Sequence, residues 1–124
     1  VLLTGDWRVG TSGDFKIGLN EVQIGMPVPI LAMEFARARI AVTNLTAATL
    51  FGATVDPETA RAWGYLDEVT DAANVRTRAV AEATRLSSLS REAYAKTKLA
   101  LREQTMQYIR DTLEVDMRRL TPPV

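Results

Sequence analysis

The 124-residue sequence contains neither cysteine nor histidine. Without cysteine there is no disulfide and no thiolate metal site. Without histidine a Ser-His-Asp triad, a Cys-His dyad and the usual zinc sites are excluded within the chain. Proton transfer near neutral pH then falls to a carboxylate, a lysine or a tyrosine. An excess charge of one sign is missing too. Fifteen basic residues balance fifteen acidic ones, so nothing argues for nucleic acid or an anionic membrane as a partner. The longest apolar run is far short of the roughly 20 residues that span a bilayer, and no signal-peptide pattern is present.

What is there is the composition of a folded domain, 47% hydrophobic and 24% charged, long enough to bury a core. Val1 to Val9 begins apolar and carries β-branched and aromatic residues, which predicts a buried strand. The sequence thus opens straight into a strand, where a domain boundary would normally be an exposed polar linker. We read this as a cut inside a fold. Thr11-Ser12-Gly13-Asp14 is a turn signal, and Phe15 to Gly18 a second short strand. Asn20-Glu21 leaves its end as loop. Pro27 and Pro29 suit a helix entrance, after which Ile30, Met33, Ala36 and Ile40 recur at helical spacing.

Thr43 can cap a short helix reaching Phe51 and stopping at Gly52. Asp56-Pro57-Glu58 starts the next helix and Gly64 ends it. Tyr65 to Val69 is expected as a strand. A helix from Thr70-Asp71 should bury Val75, Ala79, Ala83 and Leu86. Ser87-Ser88 ends it, and Ser90 caps another helix running to about Glu103. A separate last helix then carries Met106, Ile109, Leu113, Met117 and Leu120 on one face, up to Thr121-Pro122-Pro123. Two or three short strands do not make a self-sufficient sheet, so further strands are expected in missing sequence.

Three segments in order carry a family resemblance. V-L-L-T-G-D-W-R-V-G is similar to a strand ending in Cys/Gly-Asp-x-Arg. F-K-I-G-L-N-E-V-Q-I-G is similar to F-G-x-P-E-x-x-L-G. T-L-F-G-A-T-V-D-P-E-T-A-R-A-W-G-Y-L-D-E-V is similar to L-x-L-T-G-x-x-I-x-A-x-E-A-x-x-x-G-L-V-x-x-V. Together they resemble the C-terminal half of the crotonase superfamily, the enoyl-CoA hydratases and isomerases. The resemblance implies an α/β fold, a ClpP/crotonase-type β-β-α spiral, with its N-terminal half missing. Residues 1–71 would form part of the spiral core and 72–124 a helical trimerisation region. It also implies an acyl-CoA thioester as substrate, a homotrimer or hexamer, no cofactor beyond the substrate's own coenzyme A, no metal and a cytoplasmic location.

By the same resemblance Glu21 falls on the family's catalytic glutamate. Taken alone it would be an exposed loop carboxylate. The family's second glutamate, its two oxyanion-hole N–H groups and its CoA-gripping loops would lie at or before Val1. Gly-Leu-Asn-Glu with Gln23 and Gly25 resembles the Δ3,Δ2-enoyl-CoA isomerases, which use one glutamate. A two-glutamate hydratase and a non-catalytic oligomeric subunit are the alternatives, with a short protein that pairs with another chain as a third. Pro27, Val28 and Leu31 are candidates for the acyl-pocket wall, with core packing as the other reading. Gly18 and Gly25 read as backbone devices, Asp6 as closing a turn, and Trp7 and Trp63 as core or interface. Arg37, Arg39, Lys96 and Lys98 read as solvated charges. The last helix's apolar stripe reads as an oligomer or core face.

Overall fold

The computed structural model describes residues 2–120, among which are five α-helices, three short 3-10 turns and four very short strands. The Asp56-Pro57 start and Gly64 stop hold as expected. In α3 (Pro57–Trp63) the Asp56 Oδ1 accepts the Thr59 N–H at 3.0 Å, and Pro57 occupies the first helical turn. Gly64 closes α3 in the left-handed region at φ 98°, and it faces the end of another helix, α1 (Ile30–Arg39). A Cβ on Gly64 would lie 2.3 Å from the Arg39 carbonyl oxygen, so both the turn and the helix contact demand glycine. Gly64→Ala should lower unfolding stability by well over about 1 kcal/mol, measured by urea denaturation; a loss below that would show that the α1 end can yield.

The strands form two pairs. β1 (Val9–Thr11) runs parallel to β4 (Glu68–Thr70) with Gly10 opposite Val69. β2 (Ile17–Gly18) runs antiparallel to β3 (Thr54–Val55) with Gly18 opposite Thr54. The register between β1 and β4 is set by Arg8, whose side chain is 5% exposed. Its guanidinium grips Asp67 through Nε and Nη2 at 2.8 and 2.9 Å, and donates from Nη1 to the Gly64 carbonyl at 2.8 Å. The core beside these pairs is small. Leu3, Ala36, Ile40, Ala48, Ala60, Tyr65 and Leu66 are buried, with Phe35, Ile17 and Leu19 packed against them.

Several expectations are corrected. The strand expected over Val1 to Val9 is a 3-10 turn at Leu2–Thr4 followed by β1 two residues after Trp7. The apolar start packs Leu3 as a helical turn would, and only the residues beside Asp67 find a strand partner. The strand expected over Tyr65 to Val69 is confined to Glu68–Thr70, because the Tyr65 and Leu66 N–H groups bond back to Ala60 of α3. β3 was not foreseen. Thr43 caps nothing: it lies inside a 3-10 turn, Val42–Asn44, before α2 (Leu45–Thr49).

The stripe expected to be buried on α4 (Val75–Ser87) is half-buried at Val75 and Leu86 but exposed at Ala79 and Ala83. The two helices expected after Ser90 are one, α5 (Arg91–Leu120). Ser90 does start it, its Oγ accepting from Ala93 N at 3.3 Å. At 1.5 Å per residue its 30 residues extend about 45 Å. No glycine or proline interrupts the segment, so the helix continues across Glu103. Met106, Ile109 and Leu120 are half-buried as expected, but Leu113 and Met117 are 49% and 56% exposed. The last three residues of the expected stop, Thr121 to Pro123, lie outside the described residues.

The accessible surface is 8502 Å², against roughly 6,600 Å² for a compact monomer of this mass. Leu99, Leu101, Phe15 and Phe51 are among the large apolar side chains left exposed.

Candidate functional site

Glu21 stands at the end of β2, as expected, but on a 3-10 turn (Glu21–Ile24) instead of an open loop. The turn is well tied. Met26 N donates back to the Glu21 carbonyl at 2.9 Å, and Gln23 Nε2 reaches the Phe51 carbonyl at 3.2 Å. Gly25 ends the turn at φ 79°, and a Cβ on Gly18 would meet the Ala53 carbonyl at 2.5 Å. Both glycines are thus backbone devices, one for a left-handed cap and one for the close approach of β3.

The carboxylate itself is unusual. Its Oε2 is buried and has no hydrogen-bond partner, and the same is true of the Tyr65 hydroxyl. Each buried polar atom left unpaired costs about 1–3 kcal/mol, more for a charged group, so such atoms call for a functional reason. Burial pushes the Tyr65 phenol's pKa up; the nearby Leu19 amide opposes this, and the negative charge of Glu21 adds to it. The amide biases the hydroxyl without making a bond of ordinary geometry. Beside Tyr65 lies a cavity of about 180 Å³, walled by Leu2, Ile17, Leu19, Ala32 and Phe35. A carboxylate held at a strand end, with one oxygen removed from water, can act as a proton acceptor and donor.

Pro27 is exposed, Val28 half-buried and Leu31 41% exposed. None of the three lines the cavities described here. Pro27 and Val28 lie on the approach to α1 and Leu31 in its first turn, and the helix N-terminus has no local side-chain cap. A carboxylate from the far end of the chain supplies one: buried Asp116 on α5 accepts the Ile30 N–H at 2.8 Å. Neither Tyr65 nor Asp116 was singled out from the sequence. Tyr65 lay inside an expected strand, and Asp116 sat off the apolar stripe assigned to its helix. The available signal for Asp116 was its spacing, seven residues after Ile109 and four before Leu120, both half-buried.

Away from Glu21, Asp6 is a junction and not a local turn device. Tyr94 Oη donates to its Oδ2 at 2.5 Å, Lys98 Nζ donates to the same oxygen, and Arg39 lies 3.6 Å from Oδ1. Arg39 also donates to the Gly5 carbonyl at 2.8 Å. Arg39 and Lys98 are therefore engaged in tertiary contacts, contrary to the reading as solvated charges. Arg37 and Lys96 are exposed and fit that reading, Arg37 pairing with half-buried Glu34 and Lys96 with exposed Glu92. Trp63 packs against the core, whereas Trp7 is 43% exposed. A cavity of about 450 Å³ opens beside this junction, between Arg39 and the first turns of α5. It is remote in sequence and composition from the Glu21 turn.

Burial of Asp6 works to raise its pKa, but the Lys98 and Tyr94 hydrogen bonds and the Lys98 and Arg39 charges outweigh it and hold the carboxyl below the ordinary aspartate range. A lowered folded-state pKa adds stability that is fully present above the unfolded value and is lost as pH falls through the folded one. Thermal melts below pH 3.8 should therefore fall more steeply in the wild type than in Asp6→Asn. Parallel slopes would show that the junction adds nothing.

Among the described residues no group of three acidic side chains comes together to hold a metal, and no helix is long and apolar enough to cross a membrane. The family profile described as enoyl-CoA hydratase/isomerase matches residues 3–123. An enoyl-CoA hydratase/isomerase family protein from Pseudomonas syringae is 35% identical with a TM-score of 0.91, the match covering 97% of this chain and 52% of that one. An enoyl-CoA hydratase from Mycobacterium ulcerans is 34% identical with a TM-score of 0.85, over 94% of this chain and 52% of that one. Human mitochondrial Δ3-Δ2-enoyl-CoA isomerase shares the fold at 24% identity, with a TM-score of 0.89 over 95% of this chain and 46% of that one. The chain spans about half the length of these proteins. A search of the curated proteins found no match.

Proposed function

The chain belongs to the enoyl-CoA hydratase/isomerase family and has part of the crotonase-like fold, and from that premise we propose that it carries the acid/base of a Δ3,Δ2-enoyl-CoA isomerase. The observation that carries this reading is the buried, unpartnered Oε2 of Glu21 on a tied strand-end turn. In the proposed reaction Glu21 takes a proton from C2 of a 3-enoyl thioester, and the electron pair moves onto the carbonyl oxygen as a dienolate. The carbonyl then re-forms, the double bond settles between C2 and C3, and the Glu21 carboxyl returns the proton at C4. The α-proton is far less acidic than a carboxyl, so the step needs hydrogen-bond donors to the enolate oxygen. In this reading those donors, and the grip on coenzyme A, come from the part of the fold that the longer relatives have and this chain does not span.

Residues 1–71 then form part of the spiral core and 72–124 the helical region through which three copies assemble. The exposed Leu99 and Leu101 on α5 fit such an assembly, and a cytoplasmic setting belongs to the same reading. Pro27, Val28 and Leu31 remain the proposed acyl-facing wall, closed by further protein. A two-glutamate hydratase is the second reading, favoured by the identity to the Mycobacterium ulcerans hydratase. Glu21 would there deliver a water proton to C2 with an upstream glutamate as partner.

Intact mass of the purified protein comes first, because it tells whether residues beyond this chain complete the site. Assays of 3-enoyl-CoA isomerisation and 2-enoyl-CoA hydration then separate the readings. Isomerisation well above hydration supports the first reading, the reverse supports the second, and neither activity in a full-length protein rejects both.

A further inference from the structure

Nothing in the packing of Tyr65 requires a hydroxyl. The residue is 2% exposed, and its ring lies in an apolar setting of Ile17, Leu19 and Phe35. The matching family pattern has leucine at this position, and leucine would fill it without burying a polar atom. Here a phenol is buried instead, beside the Leu19 amide but with no hydrogen bond of ordinary geometry, and within reach of the charge of a carboxylate whose Oε2 is buried with no hydrogen bond either. One is a donor and the other an acceptor, so each can supply what the other lacks.

The other charged side chains on the neighbouring helices are already committed. Glu58 and Arg61 of α3 pair with each other, Glu34 of α1 pairs with Arg37, and Arg39 is held by Asp6 and Gly5. Glu21 is the charged group that acts on the phenol.

We propose that Tyr65 is a positioning residue for the Glu21 acid/base, its O–H donating to Oε2 when the carboxylate is charged and leaving Oε1 to carry the proton between carbons. This rests on the role given to Glu21 above. A donor to the charged form favours that form over the protonated one. It also restricts the carboxylate to one orientation, which a single group serving two carbons needs.

The test is Tyr65→Phe in the natural-length protein, with Glu21→Gln and the double variant alongside. Tyr65→Phe should lower kcat for isomerisation about tenfold or more, the scale of one hydrogen bond to a charged group, with KM little changed. The acid limb of kcat/KM should move to higher pH, which loss of packing alone would not cause. Phenylalanine keeps the buried ring, so thermal melts should show that the variant is folded. Adding Tyr65→Phe to Glu21→Gln should change nothing more. An unmoved acid limb with wild-type kcat overturns the proposal.

A second readout does not depend on turnover. Followed by NMR of labelled tyrosines, the Tyr65 ionisation should move to lower pH in Glu21→Gln, because a nearby negative charge has gone. A titration that stays in place overturns the pairing. If the wild type turns over neither substrate, the activity reading fails, and the titration still decides whether the two groups are coupled.

Discussion

Glu21→Gln will lower isomerisation of a 3-enoyl-CoA by about 10²- to 10⁴-fold, the usual contribution of a positioned general acid/base. Glutamine keeps the shape of the side chain and can sit on the same 3-10 turn, whose ties run through backbone atoms and Gln23. What it loses is the ability to accept the C2 proton and pass it to C4. KM should change little, because the contacts to coenzyme A lie elsewhere in the proposed reading. Stability should change little, because glutamine keeps the shape of the side chain and the ties of the turn do not use the carboxylate. Steady-state rates with matched thermal melts check this. Equal rates for the two proteins would falsify the role of Glu21 and leave the buried oxygen without an explanation.

The second large effect is on stability. Arg8→Ala should reduce the unfolding free energy by about 3–5 kcal/mol, the cost of leaving a largely buried partner charge unpaired. Arg8 joins three places at once: the strand β1, the Asp67 carboxylate before β4, and the carbonyl of Gly64 at the end of α3. The Asp67 carboxylate also accepts the Arg8 backbone N–H at 2.9 Å. Truncation would strand that carboxylate and the Gly64 carbonyl together. Arg8→Lys should recover only part of the loss, because an ammonium cannot reproduce the two-pronged contact. Urea denaturation, with Asp67→Asn completing a double-mutant cycle, measures the coupling. A loss below about 1 kcal/mol, the scale of an exposed pair, would show that water reaches this contact.

Arg8 also marks where sequence reasoning reached its limit. Its place in a Gly-Asp-x-Arg pattern was legible, but its partner, 59 residues on, was not. The helix signals were local and therefore readable: Asp56, Pro57 and Gly64 act within one turn of the chain, and all three hold. The Glu21 segment was recognisable from its order between β2 and the Pro-x-Pro entrance. The short strands were harder. Two- and three-residue strands carry too little alternation to set a boundary, and β3 exists because Gly18 lets its backbone approach.

Leu113 and Met117 were assigned to a buried stripe on periodicity alone. Periodicity shows that a face is apolar without showing what covers it. Asp116 shows the converse: its buried face is chosen by the Ile30 amide that it caps.

The sequence by itself determined the family, the partial crotonase-like fold, the exclusion of histidine and cysteine chemistry, and the one carboxylate that the matching motif singles out. Those are properties of residue identity and order. Only the tertiary structure decided that Glu21 has an oxygen cut off from water, that the Tyr65 phenol is buried where the charge of Glu21 acts on it, and that Asp6 and Asp116 tie α5 to the core. Desolvation and pairing depend on which distant segments meet, and no local pattern in the chain encodes that.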